Sequence, residues 1–104
     1  MRISKTIEET FKKAADKRRL CEMTDITGNK RIVAPHGIFS TSEGTKQLCC
    51  FQYSGFSESG GLPNWRNFHI DNITGIKILQ ERFTKRKDFN VDNKQVYPHW
   101  HFHV

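Results

Sequence analysis

The sequence predicts an α+β domain in which one N-terminal helix packs on a small, strongly bent, five-stranded antiparallel β-barrel. Three observations point there. Apolar residues near the N-terminus recur at helical spacing; the chain from about residue 20 to 79 breaks into short alternating runs separated by turn residues; and 104 residues suffice for one hydrophobic core but not two.

The helix is expected over residues 4–17. Ile3, Ile7, Phe11 and Ala14 or Ala15 fall on one stripe, Thr6 and Glu9 offer a capping box, and Lys13, Lys17, Arg18 and Arg19 crowd the far end, where cations suit the helix dipole. The stripe is narrow, as in a helix lying across one open end or face of a barrel.

Strands follow. LCEMT, a turn from Asp25 to Asn29 through Gly28, KRIVAP with HGIFS, the SEGT turn, and QLCCFQY read as a three-strand meander. Leu48 to Tyr53 is a near-continuous apolar run, the pattern of a strand covered on both faces, so it should be central. Pro35 and Gly37 should interrupt or bend the strand before it. Residues 54–64, SGFSESGGLPN, form an exposed loop of the kind that often carries binding function. In WRNFHID and NITGIKIL, Trp65 and Asn67 alternate with Arg66 and Phe68, and Ile76 and Ile78 with Lys77, which gives two further strands. The domain is thus expected over residues 1–83. Residues 84–104 read as a loosely attached basic tail containing histidines, with one extended segment at its end.

The net charge is +6, and it is unevenly placed: residues 1–31 carry an excess of +4, residues 32–75 of −1 and residues 76–104 of +3. Basicity at both ends favours an anionic partner, nucleic acid first. No run approaches the ~20 apolar residues of a membrane span and MRISKTIEETFKK lacks a signal-type apolar stretch, so a cytoplasmic protein without membrane contact is expected. Cys21, Cys49 and Cys50 have neither disulfide nor Cys-x-x-Cys spacing and read as buried thiols. The chain lacks paired-carboxylate, phosphate-loop, nucleophile-elbow and metalloprotease motifs, so binding without catalysis or cofactor is expected.

Between Ile7 and Phe83 the order of features resembles the WYL domain family. The most specific stretch is RNFHIDNI, in which Arg66, Phe68, Asp71 and Ile73 match the family pattern, followed by IKIL and Phe83; Arg18, Arg19, Gly28 and VAPHGI add weaker matches. The tripeptide that names the family falls on Lys46, Gln47 and Leu48, so only the leucine is kept, and Asn72 stands where a second arginine is usual. The resemblance implies a small barrel of Sm-like or SH3-like type. In bacterial regulators such domains sit behind a DNA-binding helix-turn-helix and take nucleic acid or nucleotide-like effectors in a basic pocket. Here the expectation is a divergent, stand-alone module in a regulatory or defence context.

Arg66 is the leading candidate for anion binding, because a guanidinium on a strand beside Trp65 and Phe68 grips a phosphate bidentately while a ring stacks on a base. The competing reading pairs it with Asp71, a residue otherwise suited to fixing a turn. Lys46, His69 and Arg19 are assigned supporting contacts; a solvated lysine, a surface histidine and a dipole-complementing Arg18–Arg19 pair are the alternatives. Arg82, Lys85, Arg86 and Lys87 either track a phosphate backbone or are simply solvated. His99, His101 and His103 alternate with Trp100, Phe102 and Val104, which suits either a Zn²⁺, Ni²⁺ or Cu²⁺ site or an apolar edge strand with exposed imidazoles. The preferred partner is single-stranded nucleic acid or a nucleotide-like effector, read out through another protein or a homo-oligomeric ring. The alternative is a protein–protein interaction module of a mobile-element or phage-related system, using the barrel edge and the loop at Phe56.

Overall fold

The helix forms where the apolar spacing placed it. The computed structural model describes residues 3–58 and 60–104, with side chains from Thr6 onward in the first helix, and in it α1 spans Ile3–Asp16. Ile7, Phe11, Ala14 and Ala15 are buried along one stripe; the side chain of Ile3, the stripe's expected first member, lies outside the described residues. Thr6 sits inside the helix, so it is not the N-cap that the sequence suggested, and its carbonyl accepts the Thr10 hydroxyl at 2.8 Å. The helix stops because Arg18 enters the left-handed region (φ 55°). Its N–H returns to the Ala15 carbonyl at 3.0 Å and its guanidinium caps the same oxygen at 2.6 Å. Of the two roles open to Arg18, the helix end claims it.

Six strands follow among the described residues, one more than expected: β1 Arg19–Asp25, β2 Lys30–Ser40, β3 Lys46–Gly55, β4 Asn64–His69, β5 Ile73–Arg82 and β6 His99–His103. A 3-10 turn, Ile70–Asn72, joins β4 to β5. All pairings are antiparallel, in the order β4-β3-β2-β1-β5, with β6 added to β2. No pairing joins β4 to β5 among the described residues, so the sheet is curved but not closed. The strand β3 is interior, as its apolar run predicted, but the middle place belongs to β2. This strand shares one edge between two partners: β1 pairs with it through Val33, and β6 from Gly37 onward. Pro35 falls in the gap between them, where no strand pairs with β2 on that edge among the described residues, and the register with β3 slips between Pro35 and Gly37.

Both faces of the sheet are covered. On one, Ile7, Phe11 and Ala14 of α1 pack on Met23, Val33, Ile38, Leu48 and Cys50. On the other, the chain after β5 folds back rather than trailing as a loose tail: Phe83 packs on Ala34 and Phe51, and Phe89, Tyr97 and Trp100 pack on Phe39 and Cys49. The physical reason is that Ala34, Phe39, Cys49 and Phe51 form an apolar face that α1 cannot reach, and the C-terminal aromatics remove it from water. The three cysteines are free and buried, and burial pushes the thiols of Cys21 and Cys49 up to about 12 and about 11. They are inert packing groups.

The terminal strand carries a further correction. The register with β2 passes from Ile38 opposite Phe102 to Phe39 opposite Trp100, so His101 is an extra, bulged residue. A one-residue slip exchanges faces. Phe102 therefore packs toward α1 while Trp100 joins the opposite cluster, where Val104, beyond the end of β6, also lies, and the expected division into a histidine face and an apolar face does not hold. No helix of the described residues is long and apolar enough to cross a membrane.

Candidate ligand-binding site

The β1–β2 turn, the loop after β3, β4 and the end of the 3-10 turn border a cavity of about 670 Å³ lined by Arg31, Phe56, Arg66 and Phe68, among others. The turn is built by one carboxylate. Asp25 accepts the N–H of Thr27 at 2.9 Å, the Thr27 hydroxyl at 2.6 Å and the N–H of Asn29 at 3.0 Å, while Gly28 supplies the positive φ (86°) that the reversal needs. Its other oxygen accepts Arg31 at 2.7 Å. These donors, Thr27 first and then Arg31, hold the Asp25 carboxyl far below the usual carboxylate range.

Arg31 is clamped on two more sides. Its guanidinium carbon lies 4.8 Å from the ring centre of Phe68 and 5.2 Å from that of Phe56, a cation between two aromatic faces. The loop that delivers Phe56 is pinned from below: buried Gln52 donates its amide to the carbonyls of Ser54 and Phe56, at 3.1 and 2.9 Å.

Arg66 occupies the same wall. Its guanidinium donates to the Trp65 carbonyl and to the Gly60 carbonyl, each at 2.9 Å. Asp71, the alternative partner, sits beyond the far end of β4 in the 3-10 turn and lines a different cavity. The two carbonyls use two of the five N–H donors of an arginine and fix the plane of the group. Among the described residues, Arg31 is committed to a carboxylate and Arg66 is not.

The other sequence candidates are dispersed. Trp65 is adjacent to Arg66 in sequence but on the opposite face of β4, where it stacks on Phe89 (5.6 Å, 23°) and donates its indole N–H to Asp88 at 3.1 Å; the rings that line the cavity with Arg66 are Phe68 and Phe56, both engaged by Arg31. Lys46 starts β3, four residues from the Cys50 that faces Arg66, a distance of about 13 Å along a strand, and it bonds Glu8 of α1 at 3.1 and 3.2 Å. His69 is exposed opposite Gln47 at that same end. Arg19 lies opposite Arg82 at the β1–β5 edge, with its Nε buried and lacking an acceptor among the described residues.

The terminal histidines do not converge. His99 and His101 have ring centres 5.1 Å apart, His101 Nε2 is 2.7 Å from the Ser40 hydroxyl, and His103 turns toward Trp100. The described residues hold no group of three or more His, Cys, Asp or Glu arranged for a metal ion.

Sequence reasoning missed Arg31, Asp25 and the inward role of Phe56. The signal for the first two was an oppositely charged pair flanking a tight turn. No signal joined Phe56 to Phe68, since their meeting depends on the path of the intervening loop. Neither a scan against protein-family models nor a search of curated proteins finds a match to this chain.

Proposed function

We propose that this domain is a non-enzymatic binding module that takes a nucleotide-like effector, or a short stretch of single-stranded nucleic acid, in the Arg66 cavity. One observation carries the reading. A guanidinium, oriented by two carbonyl oxygens and unpaired with any described carboxylate, faces a cavity of about 670 Å³ beside two phenylalanine rings. Pre-orientation reduces the entropy lost when a phosphate is gripped, and the Arg66 donors left over match phosphate oxygens. Phe56, 40% exposed, offers a ring on which a base stacks, an interaction worth about 1–3 kcal/mol per base.

The strand order β4-β3-β2-β1-β5, with a 3-10 turn before the last strand of that path, supports the finer assignment of a bent sheet of Sm-like or SH3-like type; the WYL resemblance rests on the sequence motif alone. The cavity differs from a strongly basic pocket in that Asp25 and Glu58 share its walls with Arg31 and Arg66. It selects for a ligand with an anionic end and polar edges over a bare polyanion.

The test is a low-salt titration of nucleoside phosphates and short single-stranded oligonucleotides against wild type and Arg66→Gln. Binding should weaken at least tenfold in the variant; unchanged affinity with an intact fold removes the assignment.

A second reading has its own support. Ile26 and Phe56, 62% and 40% exposed, rim the same cavity, and apolar rims suit a protein partner. In that case association would be insensitive to salt and would be lost in Ile26→Ser with Phe56→Ser, while Arg66→Gln binds normally.

A further inference from the structure

The two basic ends of the sequence meet in space. Lys17, Arg18 and Arg19 leave α1, whereas Arg82, Lys85, Arg86 and Lys87 lie at and beyond the end of β5. The β1–β5 ladder sets Arg19 opposite Arg82, and the N–H of Phe83 donates to the Arg18 carbonyl at 2.8 Å. Part of the positive charge that the sequence splits between its two ends is thus brought together where α1 meets the end of β5.

The loop that carries the second group is held firmly. Phe83 and Phe89 anchor its ends, each only 8% exposed. Between them the N–H of Arg86 donates to His36, and the Arg86 guanidinium lies 3.8 Å from the Phe51 ring centre and closes on Asp88 at 2.9 Å. Arg86 and Asp88 therefore neutralise each other. Arg82, Lys85 and Lys87 have no ion pair among the described residues. They surround a cavity of about 620 Å³ whose remaining wall includes Tyr53, a ring 39% exposed.

We propose that this surface binds the phosphodiester backbone of a single-stranded nucleic acid, with Arg82, Lys85 and Lys87 on the phosphates and Tyr53 under a base. A line of cations that are not neutralised attracts any polyanion, but an exposed ring among them is useful only when base faces are available, and a duplex hides them. Gln52 lines the Arg66 cavity while its neighbour Tyr53, packed on Phe51, lines this one, so the two cavities lie on opposite faces of the sheet near the end of β3. The proposal rests on the nucleic-acid reading of the domain but not on the Arg66 cavity.

The experiment is fluorescence anisotropy of a labelled oligothymidine of about fifteen nucleotides, a length that exceeds most single-domain site sizes, measured across a salt series. On a single strand, each cation removed from a phosphate lowers the slope of log affinity against log salt by about 0.7, so Lys85→Gln with Lys87→Gln should weaken binding and flatten the slope by about 1.4. Lys13→Gln with Lys77→Gln removes the same charge elsewhere and should leave the slope unchanged. Tyr53→Ala should weaken binding without altering the slope.

Equal flattening by both double variants would mean diffuse attraction and would overturn the assigned surface. So would absence of oligonucleotide binding at low salt, a duplex binding as tightly as the single strand, or competition by ATP as effective as competition by an unlabelled strand of equal phosphate concentration. Arg66→Gln separates the two readings. If it binds like wild type while the Lys85 and Lys87 variant is flattened, the cavity reading fails and this one stands; the reverse pattern discards this one alone.

Discussion

The backbone N–H of Arg86 donates to Nε2 of His36 at 3.3 Å, and Nδ1 of the same ring lies 2.9 Å from the Ala34 carbonyl. An amide N–H can only donate, so Nε2 accepts, Nδ1 carries the proton and the imidazole is neutral. The ring is inaccessible to solvent and touches Trp65, Phe83 and Phe89, with centres 4.9, 5.1 and 5.2 Å away. One histidine in the middle strand thereby ties down the loop that carries the basic surface.

The tie should yield to acid. Burial lowers the His36 pKa below 6.5, the bond to the Ala34 carbonyl opposes this, and repulsion from Arg86 and Arg18 adds to it. Between that lowered value and 6.5 the unfolded chain binds a proton that the folded chain refuses. Stability is therefore complete above 6.5 and falls as pH drops through that interval, with a slope of at most about 1.4 kcal/mol per pH unit. Urea denaturation at about pH 7.5 and about pH 5.5 should show the loss in wild type. His36→Gln should be less stable at the higher pH and lose most of the difference. A residue of it should persist, because His101, also held low by partial burial and then by Lys46, acts in the same direction.

Gly37 marks where β6 and Trp100 press against β2. A Cβ there would lie 2.6 Å from the Phe102 carbonyl oxygen and 2.6 Å from Trp100 Cζ3, and neither backbone nor packed indole can retreat cheaply. Gly37→Ala should cost about 1–3 kcal/mol and loosen β6 selectively. Hydrogen exchange should report faster amides at 100–103 while those of β1 and β3 stay protected.

The helix and the meander were legible because their signals are local: a 3.6-residue stripe over Ile7, Phe11 and Ala14, and an apolar run at Leu48–Phe51 that only a doubly covered strand explains. Arg66 was legible as a residue facing open space, but Trp65 was misplaced beside it, since nearness in sequence was read as nearness in space against the alternation of a strand. The fate of residues 84–104 was not legible. The segment His99–His103 pairs with a strand some sixty residues earlier, and no local pattern encodes such a pairing. The bulge at His101 then defeated the period-2 reading of the histidines.

Phe89 tests whether the C-terminal segment belongs to the core. It stacks on Trp65, meets Trp100 and His36 edge-on at 5.5 and 5.2 Å, and is 8% exposed. Phe89→Ala should cost about 3 kcal/mol, near the low end for a large aromatic because the site is close to the surface. Limited proteolysis should leave residues 84–104 intact in wild type and cleave them first in the variant. Rapid cleavage of the wild type there would contradict the docking.

Asp25 and Arg31 should prove coupled in both stability and acid response. Their side chains are 15% and 11% exposed, so removing Arg31 leaves a carboxylate poorly solvated, though Asp25 still receives three bonds from Thr27 and Asn29. Those donors soften a loss that reaches about 3–5 kcal/mol for a buried pair broken outright, and Arg31→Ala should cost about 3 kcal/mol. Arg31→Lys keeps the charge but not the planar guanidinium that both bonds Asp25 and lies between Phe56 and Phe68, and should cost about 1–2 kcal/mol. A double-mutant cycle with Asp25→Asn should give a coupling of about 1–3 kcal/mol. Because the Asp25 carboxyl is held far below its ordinary 3.8, the stability that it contributes is present above that value and is lost as pH falls below it. Asp25→Asn should therefore flatten the acid limb below about pH 4 and leave the His36 limb unchanged; a single limb removed by either variant would mean that the two groups do not titrate as separate elements.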